Sequence, residues 1–149
     1  PMGTAGAIKL DKKKIKSRHF FLIYGDILSE INFEAMAKFH FAEGRIGTMG
    51  VKPRMGQRKY GPVTIQGNSV VGYQNKESNV GLGLINTGLY VFSSQVFKYI
   101  ESQKQQYLGR DVIPQLIADQ ELSGFIFQGK WYDISDQTDY QTAIKERQK

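Results

Sequence analysis

Cysteine is absent from the 149 residues, and that absence excludes disulfides and thiolate metal sites. No apolar run approaches the length of a membrane span. A secretory signal is also missing at the start, because Pro1 opens directly onto a glycine-rich turn rather than onto a charged and then apolar segment. The expectation is therefore a cytoplasmic chain with no membrane partner. Internal repeats, low-complexity tracts and linkers are likewise absent, and 149 residues at 40% hydrophobic suit one domain, 1–149, around a single core.

Charge of one sign is in excess. The formal net charge is +6 and the isoelectric point lies near 9.5. Much of the surplus sits in Lys9, Lys12, Lys13, Lys14, Lys16 and Arg18, with a second group at Lys145, Arg147 and Lys149. Both groups fall in segments that read as helices, and no aromatic-basic module accompanies them, so they read as solvated faces rather than a nucleic-acid surface. A positive field also favours an anionic substrate.

Glycine and proline punctuate an alternation of helical and extended segments. Ile8 and Ile15 lie two turns apart, so Ala5 to about Lys16 reads as a helix. A strand then runs to Asp26. Ser29 or Asn32 caps a second helix, with Phe33, Met36, Ala37, His40 and Phe41 on one face and Gly44 as its C-cap. Arg45 to Val51 and Val63 to Ile65 read as strands, and Gly67-Asn68 is a hairpin signal before Val70 to Tyr73. Leu84 to Phe92 is a further strand, followed by helices starting near Ser93 and Asp111, with Pro114 in the first turn of the latter. Leu122 to Phe127 and Lys130 to Ile134 are short and extended. Asp136 then caps a last helix whose inward face is Tyr140, Ala143 and Ile144. Strands alternating with helices predict an α/β fold with a mostly parallel sheet, flanked by helices and interrupted by an antiparallel excursion.

Two acids end apolar segments. Phe20-Phe21-Leu22-Ile23-Tyr24-Gly25-Asp26 brings one carboxylate to the carboxyl edge of a sheet, and Trp131-Tyr132-Asp133 brings a second from far along the chain. Open α/β sheets bind ligands at that edge, and two such acids can hold one Mg²⁺ against a phosphate. Taken singly, either Asp also reads as a helix cap or turn former. The Gly3-Thr4-Ala5-Gly6 turn can present backbone N–H groups to a ligand, or exist because glycine permits it. His40 falls on a buried helical face and reads as a core histidine, His19 carries no role, and no Ser/His/Asp grouping follows from spacing.

These segments together resemble the sugar-1-phosphate nucleotidyltransferases, whose fold is a Rossmann-like, nucleotide-diphospho-sugar transferase sheet. The resemblance rests on Pro1-Met2-Gly3-Thr4-Ala5, the Gly25-Asp26 turn, Tyr60-Gly61, Tyr73-Gln74-Asn75-Lys76, Ile85-Asn86-Thr87-Gly88 before Leu89-Tyr90-Val91-Phe92, and Trp131-Tyr132-Asp133. It implies that Asp26 and Asp133 bind Mg²⁺, that Pro1, Gly3, Thr4 and Gly25 face the nucleotide, and that Lys76 neutralises the sugar phosphate. It further implies that Tyr60, Gly61, Asn75, Asn86 and Gly88 meet the sugar. Two departures stand out: Asn75 occupies the place of a glutamate, and Ser135-Asp136 that of Gly-Thr.

The implied substrates are a nucleoside triphosphate and a sugar 1-phosphate, best GTP with mannose or manno-heptose 1-phosphate. Thymidylyl or uridylyl transfer to glucose 1-phosphate is the nearest enzymatic alternative. The family's Gly-Gly-x-Gly-Thr-Arg-Leu segment and its Pro-Lys pair have no counterpart here, so the expectation is that the chain represents the C-terminal two-thirds of a catalytic domain, N-terminally truncated, and is inactive alone. A homo-oligomer is expected to cover the apolar strand surface left open. Two other classes remain: a noncatalytic nucleotide-sugar-binding or subunit-interaction domain, and a basic RNA-binding protein.

Overall fold

A computed structural model of the protein describes residues 2–55, 60–73 and 82–147. Four α-helices and eight strands follow in chain order. They are α1 (Gly3–Leu10), β1 (His19–Ile23), β2 (Ile27–Ser29), α2 (Phe33–Glu43), β3 (Gly47–Met55), β4 (Pro62–Gln66), β5 (Ser69–Tyr73), β6 (Leu82–Ser93), α3 (Ile113–Ala118), β7 (Leu122–Ile126), β8 (Trp131–Asp133) and α4 (Gln137–Arg147). A six-stranded sheet is ordered β1-β6-β3-β7-β5-β4, with β4 also reaching β6, while β2 and β8 form a separate two-stranded ribbon.

The long strand β6 organises both layers. Its side chains alternate, as strand geometry requires. Tyr90 and Phe92 enter a core shared with Ala5 of α1, Val96, Phe97 and Ile100 of the following turn, and Ile113 and Leu116 of α3. Ile85, Leu89 and Val91 face the opposite side, where Met36 of α2, Phe127 and Trp131 cover them. Helices therefore flank the sheet on both faces, and the α/β class holds. The share of parallel pairing is smaller than expected. Among the described strands only β3 and β7 run parallel; β6 is antiparallel to both β1 and β3, and the Gly67-Asn68 hairpin makes β4 and β5 antiparallel. A parallel pair needs a long crossover, and the link from β3 to β7 is the one that supplies it among these pairs.

Local signals set most boundaries. Asn32 Oδ1 accepts from the Ala35 N–H at 2.9 Å, and Gly44, at φ 66°, closes α2 in the left-handed conformation. Asp136 Oδ1 accepts from Thr138 and Asp139 N–H at 2.9 and 3.1 Å, confirming the cap of α4. The face of α4 differs in part from expectation: Ala143 turns inward as expected, but Asp139 stands beside it, while Tyr140 and Ile144 are 44% and 37% exposed. Ion pairing of Asp139 with Arg54 decides that rotation. The first helix is also shorter, tightening after Leu10 into a 3₁₀ turn over Asp11–Lys13. Lys12, Lys13, Lys14 and Lys16 are exposed in this stretch. No helix among the described residues is long and apolar enough to cross a membrane.

Candidate active site

The acid expected at a strand end lies just beyond one. β1 stops at Ile23 because the chain turns sharply: the Tyr24 N–H donates to the Gly88 carbonyl at 3.1 Å, and the Ile27 N–H returns to the Tyr24 carbonyl at 3.2 Å. This turn presents Asp26 and feeds β2, a strand that the sequence reading missed. β2 pairs antiparallel with β8 so that Ile27 stands opposite Asp133. The Ile134 N–H also donates to the Asp26 carbonyl at 2.8 Å. The two acids, more than a hundred residues apart in sequence, thus become neighbours across one ribbon.

A cleft of about 270 Å³ opens beside them. Of the residues expected from sequence, Asp26, Asp133, Tyr60, Gly61, Asn86 and Gly88 all line it. Tyr24, Ile27, Tyr73, Thr87, Trp131 and Ser135 complete the wall. Gly88 has φ 74°, and a Cβ there would stand 3.2 Å from the Tyr24 ring, so backbone conformation and close approach both call for glycine. Asn86 is held from three sides: its amide donates to the Tyr90 hydroxyl at 2.6 Å and the Tyr73 hydroxyl at 3.4 Å, while its carbonyl oxygen accepts from the Gly88 N–H at 3.1 Å. The Asn86 N–H donates to the Gly61 carbonyl at 3.1 Å, tying the Tyr60-Gly61 segment to β6. Burial drives the Tyr90 hydroxyl well above its ordinary pKa and raises that of Tyr24 as well. Both are neutral hydrogen-bonding groups at physiological pH.

Asp133 Oδ1 accepts from the Ser135 N–H at 3.0 Å and from the Ser135 hydroxyl. Serine at 135 therefore gives the turn an additional bond where the resembled family has glycine. Among the described residues lining the cleft, the charged ones are Asp26 and Asp133 alone. A phosphate beside two carboxylates requires a cation between them. Mg²⁺ keeps several waters and is bound through one or two carboxylates and substrate phosphates, so the residues present fit it.

Other expected residues stand elsewhere. Pro1, Asn75 and Lys76 lie outside the described residues. Gly25 is exposed in the turn, and neither it nor Gly3 nor Thr4 lines the cleft. The N–H groups of Ala5 and Gly6 both donate to the Gln106 carbonyl, at 3.0 and 3.3 Å, and Thr4 Oγ1 accepts from the Leu108 N–H at 2.9 Å. Thr4 also hydrogen-bonds Tyr24, and through it the opening turn touches the cleft wall. His40 is buried against Thr48, with Nδ1 2.9 Å from its hydroxyl and Nε2 3.0 Å from His19 Nδ1. Burial and the neighbouring His19 lower its pKa to about 4, so it is a neutral core residue, as its place on the helix indicated.

Residues that sequence reasoning missed are those supporting the ribbon. The Trp131 indole N–H donates to the Thr87 carbonyl at 2.9 Å, and the Thr87 hydroxyl donates to the Gly50 carbonyl at 2.7 Å, pinning β8 to the large sheet. Asp139 was legible only as an acid in the first turn of α4, and Arg54 carried no local signal.

Comparison with known proteins gives the family and the fold. The family model described as nucleotidyl transferase matches residues 1–149. The chain belongs to the nucleotidyl transferase family. Among the relatives of this nucleotidyl transferase chain, a mannose-1-phosphate guanyltransferase of Schizosaccharomyces pombe is 31% identical over 148 residues, covering 96% of this chain and 40% of the relative. The mannose-1-phosphate guanylyltransferase catalytic subunit beta of Drosophila melanogaster is 30% identical over 147 residues, with 97% and 40% covered. The crystal structure of HddC from Yersinia pseudotuberculosis superposes with a TM-score of 0.85 at 24% identity, over 98% of this chain and 63% of that one. A second HddC structure, complexed with GMP-PN, gives 0.84. The fold is thus that of HddC, and the chain spans about 40% of the length of these curated relatives.

Proposed function

We propose that this chain carries the metal-binding carboxylates and the sugar side of a sugar-1-phosphate nucleotidyltransferase site, acting on GTP and mannose 1-phosphate or a manno-heptose 1-phosphate. One observation carries the reading: the β2–β8 pairing sets Asp26 beside Asp133 in a cleft that also holds Tyr60, Gly61, Asn86 and Gly88. The choice of guanylyl transfer and of mannose is supported by the names of the relatives. The same reading carries a cytoplasmic setting, where nucleoside triphosphates are available. It also carries a homo-oligomer, supported by Phe21 and Ile23 standing exposed on the edge strand β1; sedimentation velocity checks that assembly.

The reaction joins a sugar phosphate oxygen to the α-phosphorus of the nucleotide and releases pyrophosphate. A phosphate oxygen is already ionised at neutral pH, so no general base is required. Mg²⁺ held by Asp26 and Asp133 would offset the negative charge that gathers on the phosphate oxygens. Asn86, fixed by Tyr90 and Tyr73, and the Tyr60-Gly61 backbone orient the sugar. The neutral tyrosines of the wall supply hydrogen bonds without adding charge. Lys76 is assigned the sugar phosphate. Positioning and charge compensation then account for catalysis.

The test is to supply a protein carrying these residues with Mg²⁺, mannose 1-phosphate and GTP, UTP or dTTP in turn, and to follow pyrophosphate and nucleotide sugar. GDP-sugar formation that stops with EDTA is expected. A second reading, a noncatalytic nucleotide-sugar-binding domain, is favoured by the lack of Lys or Arg among the described residues of the cleft wall. It predicts GDP-mannose binding without turnover, whereas neither binding nor turnover with any nucleotide would overturn both.

A further inference from the structure

Arg54, near the end of β3, and Asp139, in the first turn of α4, belong to none of the motifs considered above. They are nevertheless joined behind the cleft. Arg54 Nη2 donates to both carboxylate oxygens of Asp139, at 2.7 and 3.0 Å. The side chains are only 26% and 11% exposed, so this pair is shielded in a way that surface pairs are not. Asp139 Oδ2 accepts two further bonds, from the Tyr60 hydroxyl and from the Asp133 N–H, each at 3.2 Å. The Arg54 guanidinium also lies over the Tyr60 ring at 4.6 Å and the Trp131 ring at 5.1 Å, and those two rings meet edge to face at 5.1 Å.

One carboxylate therefore grips the backbone of Asp133 and the tip of Tyr60, and one guanidinium neutralises it while covering the aromatic rings on either side. Partly buried ion pairs add little net stability, but they fix geometry where several bonds converge. Here they converge on the backbone of Asp133, one of the two acids assigned to the metal, and on Tyr60, the neighbour of Gly61. β8 is only three residues long and cannot hold itself rigid.

We propose that Arg54 and Asp139 are positioning residues: through the Asp133 backbone and the Tyr60 hydroxyl, the pair sets where the Asp133 carboxylate stands relative to Asp26, and hence how tightly the two acids hold a divalent cation. This rests on the assignment of Asp26 and Asp133 given above. Neither Arg54 nor Asp139 lines the cleft itself. Supporting groups of this kind typically change metal affinity by about 10- to 100-fold when removed.

The test titrates the folded chain with Mn²⁺ and reads quenching of Trp131, the single tryptophan in the sequence. Hydrogen exchange at the Asp133 amide is measured in parallel without metal. The unaltered chain should show saturable quenching that Asp26→Asn abolishes. Asp139→Asn should raise the Mn²⁺ midpoint about tenfold and speed exchange at Asp133. Arg54→Lys keeps the charge but not the planar fork, and should shift both in the same direction by less; it decides the matter should Asp139→Asn fail to fold. Unchanged midpoint and unchanged exchange in a folded variant overturn the positioning role and leave the metal assignment intact. Absence of any Asp26-dependent quenching overturns both.

Discussion

The six-stranded sheet and the β2–β8 ribbon are built on different principles. The sheet is held by apolar burial: Tyr90, Phe92, Met49, Leu108, Ile113, Leu116 and Leu122 are all essentially inaccessible to water, and strands of up to twelve residues share long ladders. The ribbon has three residues per strand. Beyond the burial of Trp131 in the second core, it is fastened by individual polar bonds, from the Trp131 indole to Thr87, from Ile134 to Asp26, and from Asp133 to Asp139. Both acids of the candidate site sit on the weaker structure. The difference teaches where tolerance lies: the sheet can lose a methyl group and keep its shape, while the ribbon depends on directional bonds with few replacements.

Substitutions that strike one region and spare the other sharpen this contrast. The largest effect belongs to the ribbon. Asp26→Asn or Asp133→Asn should slow nucleotide-sugar formation by about 10³-fold, roughly 4 kcal/mol of barrier, with little change in the urea midpoint. Steady-state kinetics beside equilibrium unfolding checks both halves. The reverse pattern is expected in the apolar core packed against the sheet: Leu116→Ala, at a site of α3 with no exposure, should cost about 3 kcal/mol of stability, while Tyr140→Ala on the exposed side of α4 should stay within about 0.5 kcal/mol.

A smaller effect comes from His40. Its folded pKa of about 4 lies below the unfolded value of 6.5, so between those limits the unfolded chain binds the extra proton. The resulting stability is complete above pH 6.5 and is lost as pH falls toward 4. Urea unfolding at pH 7 and pH 5 should differ by about 2 kcal/mol, a difference that His40→Gln removes. Smallest is the cap of α2: Asn32→Ala deletes the bond to the Ala35 N–H and should cost about 1 kcal/mol, read as a shift in thermal midpoint.

What the sequence made legible follows the same division. Helix caps at Asn32 and Asp136, the Gly44 stop and the Gly67-Asn68 hairpin are local chemistry, and each stands where its residues indicate. The strand Leu84 to Phe92 was legible too, but the single core expected from length is divided into two, one on each face of β6. Strand β2 was hidden because Ile27-Leu28-Ser29 is too short to show a period, and its pairing is with a segment a hundred residues away. The share of parallel pairing was overestimated for a related reason: strand direction is set by which distant strand lies alongside, and helix-strand alternation does not state it. Arg54 and Asp139 were silent because an ion pair across 85 positions leaves no trace in spacing. The inward face of α4 was misread at Tyr140 and Ile144 on the same account, since apolar character alone does not show that Asp139 turns inward to meet Arg54.

Gly61 carries a consequence for how such a chain can change over generations. A Cβ at this position would lie 2.5 Å from the Tyr73 ring, and that ring's hydroxyl is one of the groups bonded to Asn86. A side chain at 61 would have to move the Tyr73 ring or come with a smaller residue there, and either change would loosen Asn86. The three positions are thereby coupled: a side chain at 61 collides unless Tyr73 gives way, and Tyr73 giving way removes one partner of Asn86.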